Sequence, residues 1–476
     1  MNQYPKTAVV QAQYSGQQRG NPFLEAMPSV MPYKTLMDEI ASSPLIPVQL
    51  PEMSLEERRM SIPRLNSLFI PMDYMYTIYD TLYRSILSSY SNLSLVETIR
   101  QQNAIFMDQQ SERFSTQAES CSILGVPGIG KTSTIRRCLH LIPQVIEHTQ
   151  YRNEPFYCKQ VLYLMVECPS DCSVKTLAYS IFAALDKALG SNYLERTMHA
   201  KSMSVSAATT QIKILCMTHH VGMILVDEIQ NAVTTARRQG QVKPLIKFLV
   251  ELTNDTSTGV CFVGTDLAEE IFTEQEHLRR RTRGLRLTPM KPDAGYRKFI
   301  TSVWQYQFTR AHAPLTDKLA NKIYDLSGGI PAYVTAIFRE SQVHALMCGE
   351  KCITDQCIQY AADVLGLHVP KTYAKGTSIS EIQLQCDESL HDNEESRLKE
   401  SAIRERLTLP DNQVIIPDTQ AGNPDTLQCK RLYANKRGRK AVQRDTDDLL
   451  VAFSKGVDLA EFLIPKGLAE SRNTEC

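Results

Sequence analysis

The sequence predicts an α/β fold in which a parallel sheet is followed by a small helical domain. Between residues 111 and 290, short apolar segments alternate with helical patterns, as in a parallel sheet covered by helices on both faces. From residue 291 to 368 the pattern is helical only. A glycine-rich segment at 125–132 joins the first apolar run to a helix, and such a junction often carries a functional site.

The predicted strands are short apolar runs, as expected for strands that are buried on both faces. They are Ser122–Gly125, Gln160–Cys168, Gly222–Glu228, Gly259–Thr265 and, with a weaker pattern, Gly284–Leu287. The clearest helix is Ser173–Leu189, because its apolar residues recur at helical spacing and Gly190 is a suitable stop.

Composition divides the chain into six regions. The first is rich in Pro, Gln, Ser and Met with little periodicity, which favours a disordered tail over a docking arm. The fifth is polar and charged, as linkers are, and the last regains an apolar pattern. The predicted regions are an extended amino-terminal arm (1–70), a helical region (71–110), the α/β domain (111–290), the helical domain (291–368), a linker (369–425) and a carboxyl-terminal tail (426–476).

The chain has 52 basic and 52 acidic residues, so any site for nucleic acid or a membrane must be local. Its thirteen cysteines form no C-x-x-C pair, which favours reduced thiols over zinc ligands or disulfides. The first residues lack the basic and apolar regions of a secretory signal, and no apolar run reaches membrane-spanning length. We therefore expect a cytoplasmic protein with no membrane partner.

The glycine-rich segment satisfies the phosphate-loop pattern G-x-x-x-x-G-K-[ST]. In such a loop, backbone N–H groups cradle phosphates, the lysine reaches the β and γ phosphates, and the hydroxyl binds Mg²⁺. The helix that follows adds the positive end of its dipole. The expected ligands are ATP and Mg²⁺, and the residues expected to hold them here are Gly125, Val126, Pro127, Gly128, Ile129, Gly130, Lys131, Thr132 and Ser133.

Two carboxylates end the apolar run “MILVDE”. Asp227 is suited to support Mg²⁺, and Glu228 is suited to polarise the attacking water as a general base. A strand that ends in a charged turn is common, but the phosphate loop upstream favours the catalytic interpretation. Thr265 ends another such run, “VCFVGT”, and is expected to position the same water; taken alone it is equally an ordinary turn threonine.

The stretch “HLRRRTRGLRL” is rich in arginine, the residue that best stabilises charge on a transferring phosphoryl group and that a neighbouring subunit can supply. Its arginines are Arg279, Arg280, Arg281, Arg283 and Arg286. We expect one of them, Arg281 or its neighbour Arg280, to act in trans. The alternatives are a solvated basic turn and a phosphate-binding patch.

Taken in this order, the phosphate loop, “ILVDE”, “FVGT”, the arginine cluster and the helical domain resemble the AAA+ ATPases of the ASCE class. The match extends to “NPFLEAMP” in the arm, “DKALGSNYLER” at Asp186–Arg196, “FVGTD” and the tail “CKRLYANKRGRKA”, which are similar to the TnsC family of transposon regulators. The resemblance covers the whole chain loosely. It implies an AAA+ domain, a small helical lid, an amino-terminal arm and a partner-binding tail.

The resemblance also implies a mechanism. ATP-bound subunits would form a homo-oligomeric ring or helical filament around duplex DNA, with about six or seven subunits per turn. A target-selection protein of the TnsD or TniQ type would load them, and transposase subunits of the TnsA and TnsB type would dock on the result. ATP hydrolysis would reset the assembly, in a bacterial cytoplasm and on the nucleoid when the protein is bound to DNA.

The resemblance assigns roles to residues that match the motifs. Lys131 and Thr132 would bind ATP and Mg²⁺, Asp227 would support the metal, Glu228 would be the base and Thr265 the sensor. One departure concerns Leu326–Val334, “LSGGIPAYV”. Many AAA+ proteins carry a sensing arginine there, whereas here Arg339 comes later, which leaves nucleotide sensing by the lid open.

Contacts with DNA phosphates require basic residues on a common face. The helix Ser173–Leu189 offers such a stripe, and a loop or second helix after it adds more. The predicted DNA-contact residues are Lys175, Thr176, Tyr179, Lys187, Arg196 and Lys201. For each of them a solvated helix face is nearly as good an interpretation. A second basic run at 430–444 fits DNA by charge, but its apolar neighbours favour a partner-binding tail.

Three functions therefore stand beside one another. The first is an ATP-dependent regulator of DNA transposition that binds DNA. The second is an ATPase switch of the signalling or defence type, or a replication loader, which would share the same core. The third is a scaffold that binds ATP without hydrolysing it, which would have no use for Glu228. The basic stripe and “ALGSNY” favour the first.

Overall fold

The computed structural model describes residues 9–15, 21–91, 118–171, 173–199, 204–232, 242–269, 282–367 and 377–378. In chain order the strands are β1 (Val9–Gln11), β2 (Ser120–Gly125), β3 (Val145–Tyr151), β4 (Glu154–Val161), β5 (Tyr163–Glu167), β6 (Met223–Asp227), β7 (Gly259–Gly264), β8 (Thr282–Thr288) and β9 (Thr377–Ser378).

The helices of the described residues are numbered in chain order. They are α1 (Pro22–Glu25), α2 (Tyr33–Ile40), α3 (Leu55–Ser61), α4 (Tyr74–Ser91), α5 (Lys131–His140), α6 (Val174–Leu189), α7 (Tyr193–His199), α8 (Val205–Thr218), α9 (Val242–Thr256), α10 (Ala294–Trp304), α11 (Asp317–Ser327), α12 (Pro331–Met347) and α13 (Asp355–Leu365). Short 3-10 turns lie at Leu50–Glu52, Ile62–Ser67 and Asp266–Ala268. No helix of the described part has the length and apolar character needed to cross a bilayer.

The main sheet is parallel, in the order β5-β6-β7-β2-β8-β9, so the predicted α/β architecture is confirmed. Successive residues of β2 face different cores. Ile123 packs with the residues of α4, α5 and the lid, whereas Leu124 packs with those of α6, α8 and α9. Burial on both faces explains why the strands are continuous apolar runs.

The predicted strand Gln160–Cys168 is two strands in different sheets. The backbone N–H of Val161 donates to His219 O at 2.9 Å, and that of Leu162 donates to Gln144 O at 2.8 Å, so the ladder partner changes at this point. β4 instead forms an antiparallel hairpin with β3, and β1 pairs with β3 on the other side. The hairpin turns at Arg152 and Asn153, which have positive φ values of 52° and 67°, as in a tight type I′ turn.

The amino-terminal region differs most from its prediction. We expected an extended and disordered arm over 1–70, but its described residues are packed. Phe23, Leu36, Ile40 and Ile62 are at most 2% exposed. The physical reason is that the elements of this region are short. Leu36 and Ile40 give α2 only one turn of helical spacing, and the burial comes from packing against α4, the β3–β4 hairpin and the lid.

A buried arginine joins this region to the helical domain. Arg58 of α3 is 4% exposed. Its Nη1 donates to Phe308 O at 3.2 Å and to Thr309 O at 2.8 Å, and its Nε donates to Met53 O at 3.1 Å. Burial lowers the pKa of Arg58, and the carbonyl oxygens supply the polar partners that a buried guanidinium requires.

Helices α10 to α13 lie within the region predicted as a helical lid, 291–368. Trp304 and Phe338 pack together there with ring centroids 5.3 Å apart. Past this domain, Thr377–Ser378 pairs with Leu287–Thr288 as the edge strand β9, although it falls in the predicted linker. The rest of the linker and the predicted tail lie outside the described residues.

Candidate nucleotide-binding site

The loop between β2 and α5 depends on three glycines. Gly128 and Gly130 have φ values of +82° and +95°, in the left-handed region that glycine adopts without steric cost. At Gly125 the constraint is space, because a Cβ there would lie 2.5 Å from the carbonyl oxygen of Leu287 in β8. The loop therefore turns sharply at the carboxyl end of the sheet and leads directly into α5.

Lys131, the first residue of α5, is folded into the loop. It is 9% exposed, and its Nζ donates to Gly125 O at 2.6 Å and to Val126 O at 3.1 Å. Burial lowers the pKa of Lys131, while the nearby carboxylates of Glu228, Asp266 and Asp227 act in the opposite direction. The ammonium is thus held at the loop by two carbonyl groups that an anionic ligand could replace.

Thr132 and Asp227 meet although they are 95 positions apart. Thr132 Oγ1 donates to Asp227 Oδ2 at 3.0 Å. Asp227 ends β6 and is 6% exposed, and its other oxygen accepts the backbone N–H of Glu228 at 2.9 Å. A hydroxyl beside a carboxylate is a donor set that suits Mg²⁺.

Among the described residues, no group of three or more His, Cys, Asp or Glu could hold a metal ion alone. Thr132 and Asp227 offer two oxygen ligands, and Mg²⁺ usually completes its coordination with phosphate and water.

Glu228 follows at once and its carboxyl side chain is exposed. Its backbone has a φ of +56°, a strained value for a residue with a side chain. Gln230 Nε2 donates to Glu228 Oε2. The same amide accepts the backbone N–H of Thr265 through Oε1 at 3.0 Å, so Gln230 joins the ends of β6 and β7.

The sequence analysis missed Gln230. A glutamine in a turn carries no motif, and its contact with Thr265 depends on the side-by-side arrangement of β6 and β7. The one local sign is Gly264, where a Cβ would lie 2.6 Å from Gln230 Oε1.

Thr265 is half-buried, and its hydroxyl oxygen is fully covered without a hydrogen-bond partner in the described part of the chain. A buried polar atom of this kind requires an explanation, and a ligand or water that completes its hydrogen bonding is one. Thr265, Glu228, Asp227 and Thr132 all lie at the carboxyl ends of neighbouring parallel strands or at the start of α5.

Of the arginine cluster, only Arg286 has a described side chain. It forms ion pairs within the same subunit, from Nη1 to Glu269 Oε2 at 2.9 Å and from Nε to Asp266 Oδ1 at 3.5 Å. Arg279, Arg280 and Arg281, and the side chain of Arg283, lie outside the described residues.

The lid touches the loop through backbone and small apolar groups. The backbone N–H of Ala332, in the first turn of α12, donates to Gly128 O at 3.2 Å. A Cβ at Gly128 would lie 3.1 Å from the Cγ2 of Ile330. Arg339 lies elsewhere, because its Nη1 donates to Asn66 Oδ1 at 2.7 Å.

The predicted DNA-contact residues that the structure describes lie on α6 and α7. Lys175 Nζ is 5.7 Å from the ring centroid of Tyr179, and Lys187 and Arg196 are exposed. The hydroxyl of Thr176 donates to Asp171 Oδ2 at 2.8 Å, which places a carboxylate beside the stripe. Lys201 lies outside the described residues.

The stretch “DKALGSNYLER” has a clear local explanation. Gly190 ends α6 with a φ of +70°. Asp186 then accepts the backbone N–H groups of Tyr193 at 2.7 Å and Leu194 at 2.8 Å, which satisfies free donors at the start of α7. This stretch therefore sets the angle between the two helices that carry the predicted DNA contacts.

Comparison with known proteins agrees with this geometry at the level of the domain. Residues 114–272 match the family described as “AAA domain”, so this part of the chain has the fold of an AAA domain. No curated protein matches the sequence significantly.

Three solved structures show what the chain is similar to. A Walker-type ATPase of Pyrococcus abyssi has a TM-score of 0.35 and 15% identity, over 56% of this chain and 71% of that one. The Drosophila ORC bound to DNA has a TM-score of 0.33 and 17% identity, over 60% and 66%. The ORC2 protein of Aeropyrum pernix has a TM-score of 0.34 and 13% identity, over 59% and 72%.

Proposed function

We propose that this protein is an ATP-hydrolysing AAA+ regulator that assembles on duplex DNA and controls DNA transposition. The observation that carries the ATPase part is the hydrogen bond between Thr132 and Asp227. Glu228 is adjacent to Asp227, and the buried hydroxyl of Thr265, which has no hydrogen-bond partner among the described residues, follows the neighbouring strand β7. These are the groups that phosphoryl transfer to water needs, at the edge of a parallel sheet where such sites form.

Each side chain has a distinct task in this proposal. Lys131 leaves the two loop carbonyls and pairs with the phosphates, where its charge stabilises the transferring group. Glu228 accepts the proton of the attacking water, and the hydroxyl of Thr265 orients that water. Mg²⁺ held by Thr132 and Asp227 would neutralise phosphate charge. An arginine of a neighbouring subunit, Arg281 or Arg280, would complete the site.

The DNA part of the proposal is supported by the exposed side of α6 and α7. Lys175 and Lys187 are twelve residues apart, which on a helix is about 18 Å, so they can reach different phosphates of one duplex. Tyr179 lies one turn from Lys175 on α6, and Arg196 is an exposed residue of α7. Contacts of this kind bind DNA without reading its sequence, which suits a protein whose target is chosen by a partner.

The role in transposition rests on the resemblance of the arm, of Asp186–Arg196 and of the tail to the TnsC family. It brings with it a TnsD- or TniQ-like target selector, TnsA- and TnsB-like transposase subunits, a homo-oligomeric ring or filament, and a bacterial cytoplasm as the setting. In this proposal the tail, 426–476, binds the transposase.

A second function remains a candidate because of one observation. The carboxylate of Asp171 binds the hydroxyl of Thr176 and lowers the local positive potential beside Lys175. That arrangement favours an ATPase switch of the signalling, defence or loader type, in which this helix face is only solvated.

One experiment separates the two functions. Binding to duplex DNA would be measured with ATP, with a non-hydrolysable analogue, with ADP and without nucleotide, together with particle size. A transposition regulator should bind DNA and form larger assemblies with ATP and with the analogue, but not with ADP or without nucleotide. Assembly that does not depend on DNA would favour the switch.

A deletion then tests the role of the tail. Removal of 426–476 should leave DNA binding intact and abolish stimulation of the transposase. Loss of DNA binding instead would assign the tail to nucleic acid and contradict the proposed partner.

A further inference from the structure

Arg286 reaches across the phosphate-loop strand to the segment that carries Thr265. Leu124 of β2 pairs with Gly264 of β7 on one side and with Arg286 of β8 on the other. These three residues therefore form one row, and the side chains of a row point to the same face of the sheet. The guanidinium passes over β2 to bind Asp266 and Glu269, which follow β7.

The segment that Arg286 holds is the one that fixes Thr265. The backbone N–H of Ala268 donates to Thr265 O at 2.9 Å and closes the 3-10 turn Asp266–Ala268. On its other side, the N–H of Thr265 donates to Gln230. Both backbone groups of Thr265 are thus bound, and its buried hydroxyl is left for a ligand.

The ion pair with Glu269 contributes little to stability, because its side chains are 30% and 50% exposed and solvent screens such pairs. Asp266 Oδ1, at 3.5 Å from Nε, is covered by protein and has no hydrogen-bond partner in the described part of the chain. Asp266 also acts electrostatically on Lys131. Arg286 stabilises the fold only weakly, yet it connects β8, across β2, to the segment that follows β7. Its position is therefore better explained by holding this turn in place than by stabilising the fold.

We propose that Arg286 is a positioning residue that fixes the turn after β7 and thereby places the hydroxyl of Thr265 for the attacking water. This inference rests on the proposed ATPase function. It also gives one arginine of the cluster a role within its own subunit, distinct from the arginine that would act in trans.

The test compares Arg286→Met and Arg286→Lys with Arg297→Met in the full chain. Arg297 is a matched control, since it is an arginine of the lid that pairs with Asp317 at 2.8 Å and is 39% exposed. Hydrolysis of Mg-ATP would be measured as kcat and KM, and hydrogen exchange would be followed at the amides of residues 264–269.

Arg286→Met should lower kcat by about tenfold to a hundredfold, because a small displacement of a positioning group has effects of this size. KM should be unchanged, and exchange at 264–269 should be faster. Arg286→Lys, which keeps one ion pair, should recover part of both, and Arg297→Met should change neither.

Wild-type kcat in Arg286→Met would overturn the inference, as would a lower kcat with no change in exchange at 264–269. An equal loss in Arg297→Met would also overturn it. If the wild-type protein does not hydrolyse ATP, the proposed function fails, whereas the exchange data still decide whether Arg286 anchors the turn.

Discussion

Charged side chains occur in two different surroundings. They are buried at the edge of the sheet where β2, β6 and β7 have their carboxyl ends, and they face solvent on the stripe of α6. At the edge, Lys131 and Asp227 are buried and each is bound by two protein groups. On α6, Lys175 is only partly covered and Lys187 is exposed. A charged group is therefore bound by protein groups at the edge and faces solvent on the stripe.

This difference ranks the expected effects of mutation. Loss of a partner for a buried polar group costs about 1–3 kcal/mol, whereas an exposed ion pair contributes about 0–1 kcal/mol. Substitutions at the edge should therefore change activity sharply, and those on the stripe should change affinity gradually and in a salt-dependent way.

The largest effect is expected for Glu228→Gln. An amide of the same shape accepts no proton, so turnover should fall by about a hundredfold to ten-thousandfold, while ATP binding and ATP-dependent DNA binding persist. Steady-state hydrolysis and nucleotide titration measure the two. Glu154→Gln, an exposed carboxylate of the β3–β4 hairpin, is the control and should behave as wild type; undiminished turnover in Glu228→Gln would exclude this carboxylate as the base.

Lys131→Met comes next. Charge-assisted hydrogen bonds contribute about 1.5–3 kcal/mol, so ATP affinity should fall by about ten- to 150-fold. The control is Lys213→Met. Lys213 lies on α8, and its Nζ pairs with Asp255 Oδ2 of α9 at 2.7 Å. A calorimetric titration in which both variants bind ATP alike would remove Lys131 from the site.

The predictability of the two regions follows from the same contrast. The phosphate loop and its strands could be predicted because burial on both faces demands continuous apolar runs, and the loop demands glycine where φ is positive or space is short. The break between β4 and β5 could not be predicted, because Val161 and Leu162 are both apolar and fully buried and only their ladder partners differ.

The packing of the amino-terminal region and the contacts of Gln230 and Arg286 were missed for a related reason. Phe23 lies in the four-residue helix α1, and Leu36 and Ile40 give α2 only one turn of helical spacing, which is too short a pattern to mark this region as core. Gln230 and Arg286 contact segments that are distant in sequence. Arg286 was named within the arginine cluster, but nothing in the sequence pattern indicates its partners. The DNA contacts on α6 stay a prediction, since an exposed lysine has the same local pattern with or without DNA.

A glycine substitution sharpens the contrast at the edge. In Gly264→Ala the new Cβ would lie 2.6 Å from Gln230 Oε1 and 2.9 Å from the Cγ2 of Ile229, which should cost about 1–3 kcal/mol and separate Gln230 from Thr265. Thermal unfolding and turnover should both report the change. Gly284→Ala is the control, because its nearest neighbour, Ser122 Oγ, is 3.4 Å away; equal melting temperatures for the two variants would show that the edge is not tightly packed there.

The smallest effect is expected on the stripe. Lys175→Glu should weaken duplex binding, and removal of one phosphate contact should reduce the slope of log affinity against log salt by about one. Nucleotide binding should be unchanged, because Lys175 belongs to α6 and is not a residue of the loop. Lys298→Glu reverses an exposed charge of the lid and controls for net charge. Fluorescence anisotropy with duplex DNA at several salt concentrations would compare them. If both variants lowered the slope equally, the effect would come from overall charge and not from a contact on α6. A change confined to Lys175→Glu would place a phosphate contact on α6.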